Sequence, residues 1–191
     1  LKKKFENIWR QYFLGLHDNF YEVETAQIMH EYVFKASGHL ENFSDPAVYC
    51  SKCDFSDRAD HFVQNAVKER VEGLSAEELT AKIASYKLHC PRCKSDLKPV
   101  VAMNMMFPLQ MGTGKGLRAF LRPETAQSPY VNFRLQYELQ RKKLPLGLAL
   151  VGKAFRNEIS PRHLTLRQRE FTQAELQIFF NPHLIDEHPD F

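Results

Sequence analysis

Residues 146–180 read LGLALVGKAFRNEISPRHLTLRQREFTQAELQIFF, two apolar-rich segments joined by a polar, basic loop. Side chains alternate between faces along a strand, so parity sorts the stretch into a core side and a chemical side. In the second segment Arg167, Arg169, Phe171, Gln173, Glu175 and Gln177 share one parity. Thr172, Ala174, Leu176, Ile178 and Phe180 hold the other and read as the core face. In the first segment Arg156 and Glu158 share a face, with Val151 and Phe155 pointing the opposite way. Paired as a long antiparallel hairpin, the two segments present cations, two carboxylates and an aromatic ring on one surface. Such a surface suits a charged, planar ligand.

Composition sets the outer limits. A chain of 191 residues forms one or two domains and can bury a core. Hydrophobic content of 43% with 26% charged residues is ordinary for a soluble globular protein. The net charge of +3 permits an RNA partner without arguing for one. No apolar run approaches the roughly 20 residues that span a bilayer, and no signal-peptide pattern is present, so a cytoplasmic protein with no membrane partner is the expectation. The chain starts at Leu1 rather than Met and stops just after an acidic turn, which reads as a fragment.

Along the chain, Phe5, Ile8, Trp9, Tyr12 and Phe13 recur at helical spacing and read as the core face of a helix ending at Gly15. A short strand at Phe20–Val23 follows, then an amphipathic segment from Ile28 to Phe34 ending near Ser37-Gly38. Residues 39–60 are loop-like in composition. Phe62, Val63, Ala66, Val67 and Val71 mark a helix, and Ser75 with Glu78 forms a capping box for a shorter one. Val100–Phe107 reads as a buried strand, Gln110–Leu117 as a Gly-rich turn and Ala119–Leu121 as another strand. A helix over 124–142 carries Val131, Leu135 and Leu139 on one stripe. Gly112-Thr113-Gly114-Lys115-Gly116 is no phosphate loop. Gly116 stands where Ser or Thr must follow the Lys, and Leu109 stands where the earlier Gly is required.

The four cysteines fall as Cys50-x-x-Cys53 and Cys90-x-x-Cys93. The two-residue gap lets both sulfurs of a knuckle face one ion, so four thiolates around a structural Zn2+ is the preferred reading over reduced thiols or a disulfide. A fully ligated ion has no open position, which argues against catalytic zinc. The 36 residues between the pairs must hold structure of their own.

Phe155-Arg156-Asn157-Glu158, a basic loop and Arg167-x-x-x-Phe171 resemble motif 2 of the class II aminoacyl-tRNA synthetases. FRNEISPR at 155–162, REFTQAE at 169–175 and LRPETAQ at 121–127 resemble more narrowly the archaeal and eukaryotic glycyl-tRNA synthetases. So do ASGHLENFSDP at 36–46, RADHF at 58–62 and MNMMF at 103–107, so the resemblance runs through most of the chain. It implies an α+β fold, a class II synthetase-like antiparallel sheet flanked by helices with a small zinc-binding insertion.

By the resemblance, Arg156 is the catalytic residue, bridging the glycine carboxylate and the ATP α-phosphate with a planar guanidinium. Glu158 accepts from the adenine amino group, Arg167 reaches the γ-phosphate and Phe171 stacks on adenine. Glu124 and Glu175 match the positions that hold the glycine ammonium, and carboxylates packed there also occupy the space of a side chain. Arg122 and Gln127 shape that pocket. Glu124 equally suits a helix N-terminus, where the macrodipole favours a carboxylate. The family usually has Gly after ETAQ, whereas this chain has Ser128-Pro129, which the first turn of a helix tolerates.

The implied reaction is ATP-dependent activation of glycine to glycyl-adenylate, with Mg2+ bridging phosphates, then transfer to tRNA-Gly. The implied domains are a motif 1-like helix and strand at 1–46 for homodimerisation, a zinc-binding helical insertion at 47–99 and the catalytic-core sheet at 100–191. No Gly-x-Gly-x-x-Arg of motif 3 and no anticodon-binding domain is found in these residues, which therefore correspond to the N-terminal part of a catalytic domain. The rival reading is a non-catalytic synthetase-like module that binds nucleic acid.

Overall fold

The structure is a computed structural model that describes residues 1–113, 116–161 and 166–187, with side chains described through 184 in the last span. Gly114, Lys115 and Arg162, which figure in the motifs above, lie outside the described residues. In chain order the elements are α1 (Lys2–Leu14), β1 (Phe20–Glu22), β2 (Ile28–His30), α2 (Glu31–Ala36), α3 (His39–Asn42), β3 (Ser44–Tyr49), β4 (Ser56–Arg58) and α4 (Ala59–Val67). Then come α5 (Ala76–Ser85), β5 (Val101–Asn104), β6 (Phe107–Met111), β7 (Leu117–Leu121), α6 (Gln127–Leu139), β8 (Leu146–Phe155), β9 (Glu170–Phe179) and a 3-10 turn, Pro182–Glu187. The result is a mixed α and β fold built mainly on antiparallel pairing. It divides into two compact units, one of Leu1–Ser37, Phe107–Phe155 and Glu170–Phe191, the other of Gly38–Met106 and Arg156–Arg169.

The first unit carries the hairpin. β8 and β9 pair antiparallel from Leu146 opposite Phe179 to Phe155 opposite Glu170, and β1 joins β8 in parallel. Directly opposed residues share a face. Leu146, Leu148, Leu150, Gly152 and Ala154 therefore lie on the side of Phe179, Gln177, Glu175, Gln173 and Phe171. On that side Val23, Leu146, Leu148 and Leu150 form a core cluster with Phe133 and Tyr137 of α6 and with Phe179. This corrects the parity reading. Both faces of β8 are buried from Leu146 to Leu150, and β9 is half-buried on both faces from Phe171 to Phe179, so the face that bears Glu175 belongs to the core as much as the face of Leu176 and Ile178. Phe180 lies beyond the strand and is exposed. The reason is position in the sheet: β8 is the middle strand and holds the fully buried residues, whereas β9 is an edge. Arg156 and Glu158 fall past the last strand residue, so strand alternation does not extend to them.

Two helical stripes also differ from expectation. In α1, Phe5 (68%), Ile8 (54%) and Tyr12 (64%) are exposed and Trp9 and Phe13 are half-buried, while the buried residue is Glu6. Lys3 Nζ lies 3.0 Å from the Glu6 carboxylate, with Lys2 and Arg10 at 3.7 and 3.8 Å. In α6, Val131, Leu135 and Leu139 face solvent and Phe133 and Tyr137 face the sheet. Period 3.6 finds a helix and its stripe, but it cannot state which stripe the rest of the chain covers.

Elsewhere in this unit the segment after Val23 splits into a strand and a helix rather than one amphipathic element. β2 pairs antiparallel with β7, and β7 with β6, and the hairpin turn uses Gly112 at φ 81°. Phe34 of α2, fully buried, meets Phe120 of β7 edge-on at 6.0 Å.

In the second unit β4, β3 and β5 form an antiparallel sheet beneath α4 and α5. Val48, Ala59, Val63, Val71, Leu79, Ile83 and Val100 are its core. The Ser75–Glu78 capping box is present in both directions, at 3.2 and 2.7 Å. Helix α4 stops at Val67, with Val71 packing from outside it. Residues 39–60, expected to be loop, contain α3, β3 and β4. Pro46 hides the middle strand from a sequence reading. It is tolerated because β4 pairs only from Ala47 onward, so no ladder bond from Pro46 is required on that side. β5 is the opposite edge and mostly exposed, and the buried residues of that stretch are Val100, Met105 and Met106.

Candidate functional site

In the first unit, the stretch from the end of β7 to the first turn of α6 holds both carboxylates of the predicted glycine site, each by its own hydrogen bond. Thr125 is fully buried, and its hydroxyl donates to the Glu175 carboxylate. Its backbone N–H donates to Gln173 Oε1 at 3.1 Å, two residues away on the same face of β9. Gln127 Nε2 donates to Glu124 Oε1 at 2.7 Å. That bond fixes the amide orientation and leaves Gln127 Oε1 buried without a partner. Buried acceptors are normally satisfied, so an orphan one marks a place where a donor belongs.

Arg122, 2% exposed, braces this loop. Its Nε donates to Lys153 O at 2.7 Å, and one terminal nitrogen reaches Thr25 Oγ1 at 2.8 Å and Ser128 Oγ at 3.1 Å. Burial draws the guanidinium below its ordinary pKa, and the Glu175 charge opposes that shift. The fit depends on Gly152, where a Cβ would stand 2.4 Å from the other terminal nitrogen. Ser128 and Pro129 are fully buried in the first turn of α6. The family's usual Gly is thus replaced by a hydroxyl that accepts from Arg122.

In the second unit, residues 156–158 and 167–169 form the other group. Arg156 N–H donates to Arg169 O at 2.9 Å, and its guanidinium carbon lies 5.4 Å from the centre of the Phe43 ring. Asn157 N–H donates to Met105 O at 2.7 Å. Glu158 is buried (9%), with Arg167 Nε 3.8 Å from its carboxylate and Arg169 Nε 3.2 Å from its carbonyl oxygen. Arg58 stands behind them: its guanidinium grips Asp60 with two hydrogen bonds of 3.1 and 2.6 Å and meets Asp45 at 2.9 Å. The Asp60 bond, with the charges of Asp45 and Glu158, raises Arg58 above its ordinary pKa. Burial pushes the Asp60 carboxyl up, but the bonds from Arg58 and from His61 N–H outweigh it and hold the group below its usual range.

The cysteines meet as their spacing predicts. All four sulfurs lie within 4.8 Å of one another, with Cys50–Cys93 at 3.4 Å and Cys53–Cys90 at 3.6 Å. Those separations are far beyond a disulfide bond. They approach the roughly 3.8 Å edge of a sulfur tetrahedron around an ion with bonds of about 2.3 Å. Lys52 and Cys53 N–H groups point at Cys50 Sγ at 3.3 and 3.4 Å, the donors a thiolate needs. Cys93, the exposed member, is drawn down to about 6 by the Ser95 hydroxyl and N–H. The residues fit a tetrahedral zinc ion.

Over all 191 residues the chain is 48% identical to glycine–tRNA ligase of Pyrococcus furiosus, spanning 33% of that protein. It is 43% identical to the same enzyme of Methanothermobacter thermautotrophicus, spanning 34%. The chain is a homologue of the glycine–tRNA ligases. It covers about a third of the length of these curated relatives. No protein-family profile matches. Among solved structures, the RNA-binding domain of threonyl-tRNA synthetase from Cryptosporidium parvum Iowa II aligns with 98% of the chain and 30% of that domain's chain, at TM-score 0.50 and 18% identity. That likeness concerns the fold alone. Among the described residues no helix is long and apolar enough to cross a membrane.

Sequence reasoning missed Thr125, Gln173 and Arg58. Thr125 lay inside a quoted motif, but nothing in a lone Thr before a helix distinguishes a tether from a capping residue. Arg58 and Asp60 are two residues apart, a spacing that carries no pairing signal outside a helix.

Proposed function

We propose that this chain is the glycine- and ATP-handling part of a glycine–tRNA ligase with the class II synthetase fold. The observation that carries the reading is the buried, unpartnered Oε1 of Gln127, whose amide nitrogen holds Glu124, on a loop whose Thr125 holds Glu175. Glycine offers an ammonium with three N–H donors and no side chain to grasp. Glu124 and Glu175 pair with the ammonium and fill the space that any larger amino acid needs. Arg122 and Gln127 shape the pocket.

On the nucleotide side, Arg156 contacts the substrate carboxylate and the α-phosphate, Glu158 accepts from the adenine amino group, Arg167 meets the γ-phosphate and Phe171 stacks on the base. A glycine carboxylate oxygen attacks the α-phosphorus, the bond to the bridging oxygen breaks, and pyrophosphate leaves with the electron pair. A terminal ribose hydroxyl of tRNA-Gly then attacks the activated carbonyl and releases AMP. Positioning and charge neutralisation supply the catalysis, and no protein nucleophile is required. Mg2+, when bound to the phosphates, neutralises charge there. Cys50, Cys53, Cys90 and Cys93 hold a structural Zn2+, and the exposed α1 stripe suits a second copy of the chain in a cytoplasmic homodimer.

Glycine-dependent ATP–pyrophosphate exchange tests the reading. Exchange with glycine and with no other amino acid supports it, and Glu175→Ala should cut glycine activation about a hundredfold, the scale of losing a charged hydrogen-bonding partner, with ATP affinity little changed. Absence of exchange would favour a binding module instead.

A further inference from the structure

Thr125 has no assigned role, yet it is the residue through which the loop before α6 is tied to β9. Its side chain is wholly buried, its hydroxyl donates to Glu175 and its amide to Gln173. A carboxylate with one oxygen held by a hydroxyl cannot swing about its terminal torsion, and its second oxygen keeps a fixed direction. The neighbouring Gln127 repeats the device: its amide nitrogen is committed to Glu124, so its buried carbonyl oxygen is aimed and unpartnered.

We propose that Thr125 is a positioning residue for ammonium recognition. It holds one oxygen of Glu175 so that the other, together with Gln127 Oε1, accepts from the substrate's N–H groups. The inference rests on the glycine-binding reading above and adds what sets the direction of the acceptors. It predicts a preference for a primary ammonium: N-methylglycine has one N–H fewer and a methyl group where an acceptor waits.

The test measures ATP–pyrophosphate exchange with glycine and with N-methylglycine for the wild type, Thr125→Val, Thr125→Ser and Gln127→Met. Val keeps the shape and removes the donor, and Ser keeps the donor and removes a methyl. Thr125→Val should raise the KM for glycine roughly tenfold to a hundredfold, the scale of a hydrogen bond to a charged group, with the KM for ATP unchanged. Thr125→Ser should restore the wild-type KM for glycine. Thr125→Val and Gln127→Met should both narrow the preference for glycine over N-methylglycine.

An unchanged KM for glycine in Thr125→Val overturns the proposal, as does a rise in Thr125→Ser equal to that in Val, which would assign the effect to packing. Should Val fail to fold, Ser and Gln127→Met still decide, because an unaltered N-methylglycine ratio in Gln127→Met removes the orphan oxygen from the site. Wild-type protein with no glycine-dependent exchange removes the underlying reading. Wild-type exchange with indifferent variants removes only this inference.

Discussion

Asp60→Asn is the perturbation whose size and pH dependence follow most directly from geometry. Asp60 is 8% exposed and takes two hydrogen bonds from Arg58, of 3.1 and 2.6 Å. Its carboxyl is held below the ordinary range, so its stabilising contribution is present above the unfolded value near 3.9 and is lost as pH falls through the lower folded value. Asn retains one acceptor and loses the charge, while Arg58 keeps Asp45 at 2.9 Å. Hydrogen bonds to charged groups are worth roughly 1.5–3 kcal/mol, so with one acceptor kept the expected cost at pH 7 is about 2 kcal/mol. The protein has two units, so a local observable is preferable to a single melting curve. Amide hydrogen exchange in α4, corrected for the intrinsic rate, should quicken by about thirtyfold at pH 7, each 1.4 kcal/mol being a factor of ten. The difference should start to shrink below about pH 4, where the unfolded carboxyl takes up its proton, and vanish as pH falls through the lower folded value. An equal difference at pH 7 and pH 3 would show that the charge is not what stabilises α4, and no acceleration at pH 7 would refute the ion network as a support.

Three further outcomes are expected. Removing zinc with a chelator, or Cys90→Ala, should abolish stoichiometric metal binding and expose residues 50–55 and 90–98 to exchange. Wild-type protein that binds no zinc at micromolar concentration would end that assignment. Gly152→Ala forces its methyl against the Arg122 guanidinium and Leu150, so it should destabilise by about 1–3 kcal/mol in urea unfolding, and an unchanged midpoint would contradict the packing. Ile8→Glu, in the middle of the exposed α1 stripe, should shift a dimer to monomer in sedimentation velocity without lowering the melting temperature, and a monomeric wild type would remove that face as the contact.

What could be read from residues alone follows from how local each signal is. The hairpin, the capping box and the paired knuckles are short-range patterns, and all three are present. Burial is not local. Phe5, Ile8 and Tyr12 and the stripe Val131–Leu135–Leu139 have the right period for core faces and lie in solvent, because α6 turns Phe133 and Tyr137 to the sheet and α1 buries Glu6 instead. Strand alternation likewise separated two faces of β9 without saying that β8, the middle strand, would hold the fully buried residues. At the candidate site the charged residues announced themselves and their tethers did not. A Thr that holds a carboxylate has no composition, period or spacing that differs from a Thr that caps a helix.

That distinction bears on how such a site could select the smallest amino acid. A pocket that merely lacks room discriminates poorly if its walls can move: a carboxylate on a free Glu side chain has several rotamers, and a methyl group displaces it at modest cost. Rigidity changes the balance. With Glu175 held by Thr125 and Glu124 by Gln127, moving either wall to admit alanine means breaking a half-buried hydrogen bond to a charge, and the abandoned donor, on a buried residue, is then left unsatisfied. The penalty adds to the steric one and falls only on the larger substrate. On the proposed glycine-binding reading, the tethers, more than the carboxylates themselves, would set the discrimination between glycine and alanine. Thr125→Val should therefore lose selectivity as well as affinity: the ratio of kcat/KM for glycine to that for alanine should fall by roughly tenfold, and a ratio equal to the wild type would show that the walls are fixed by something else.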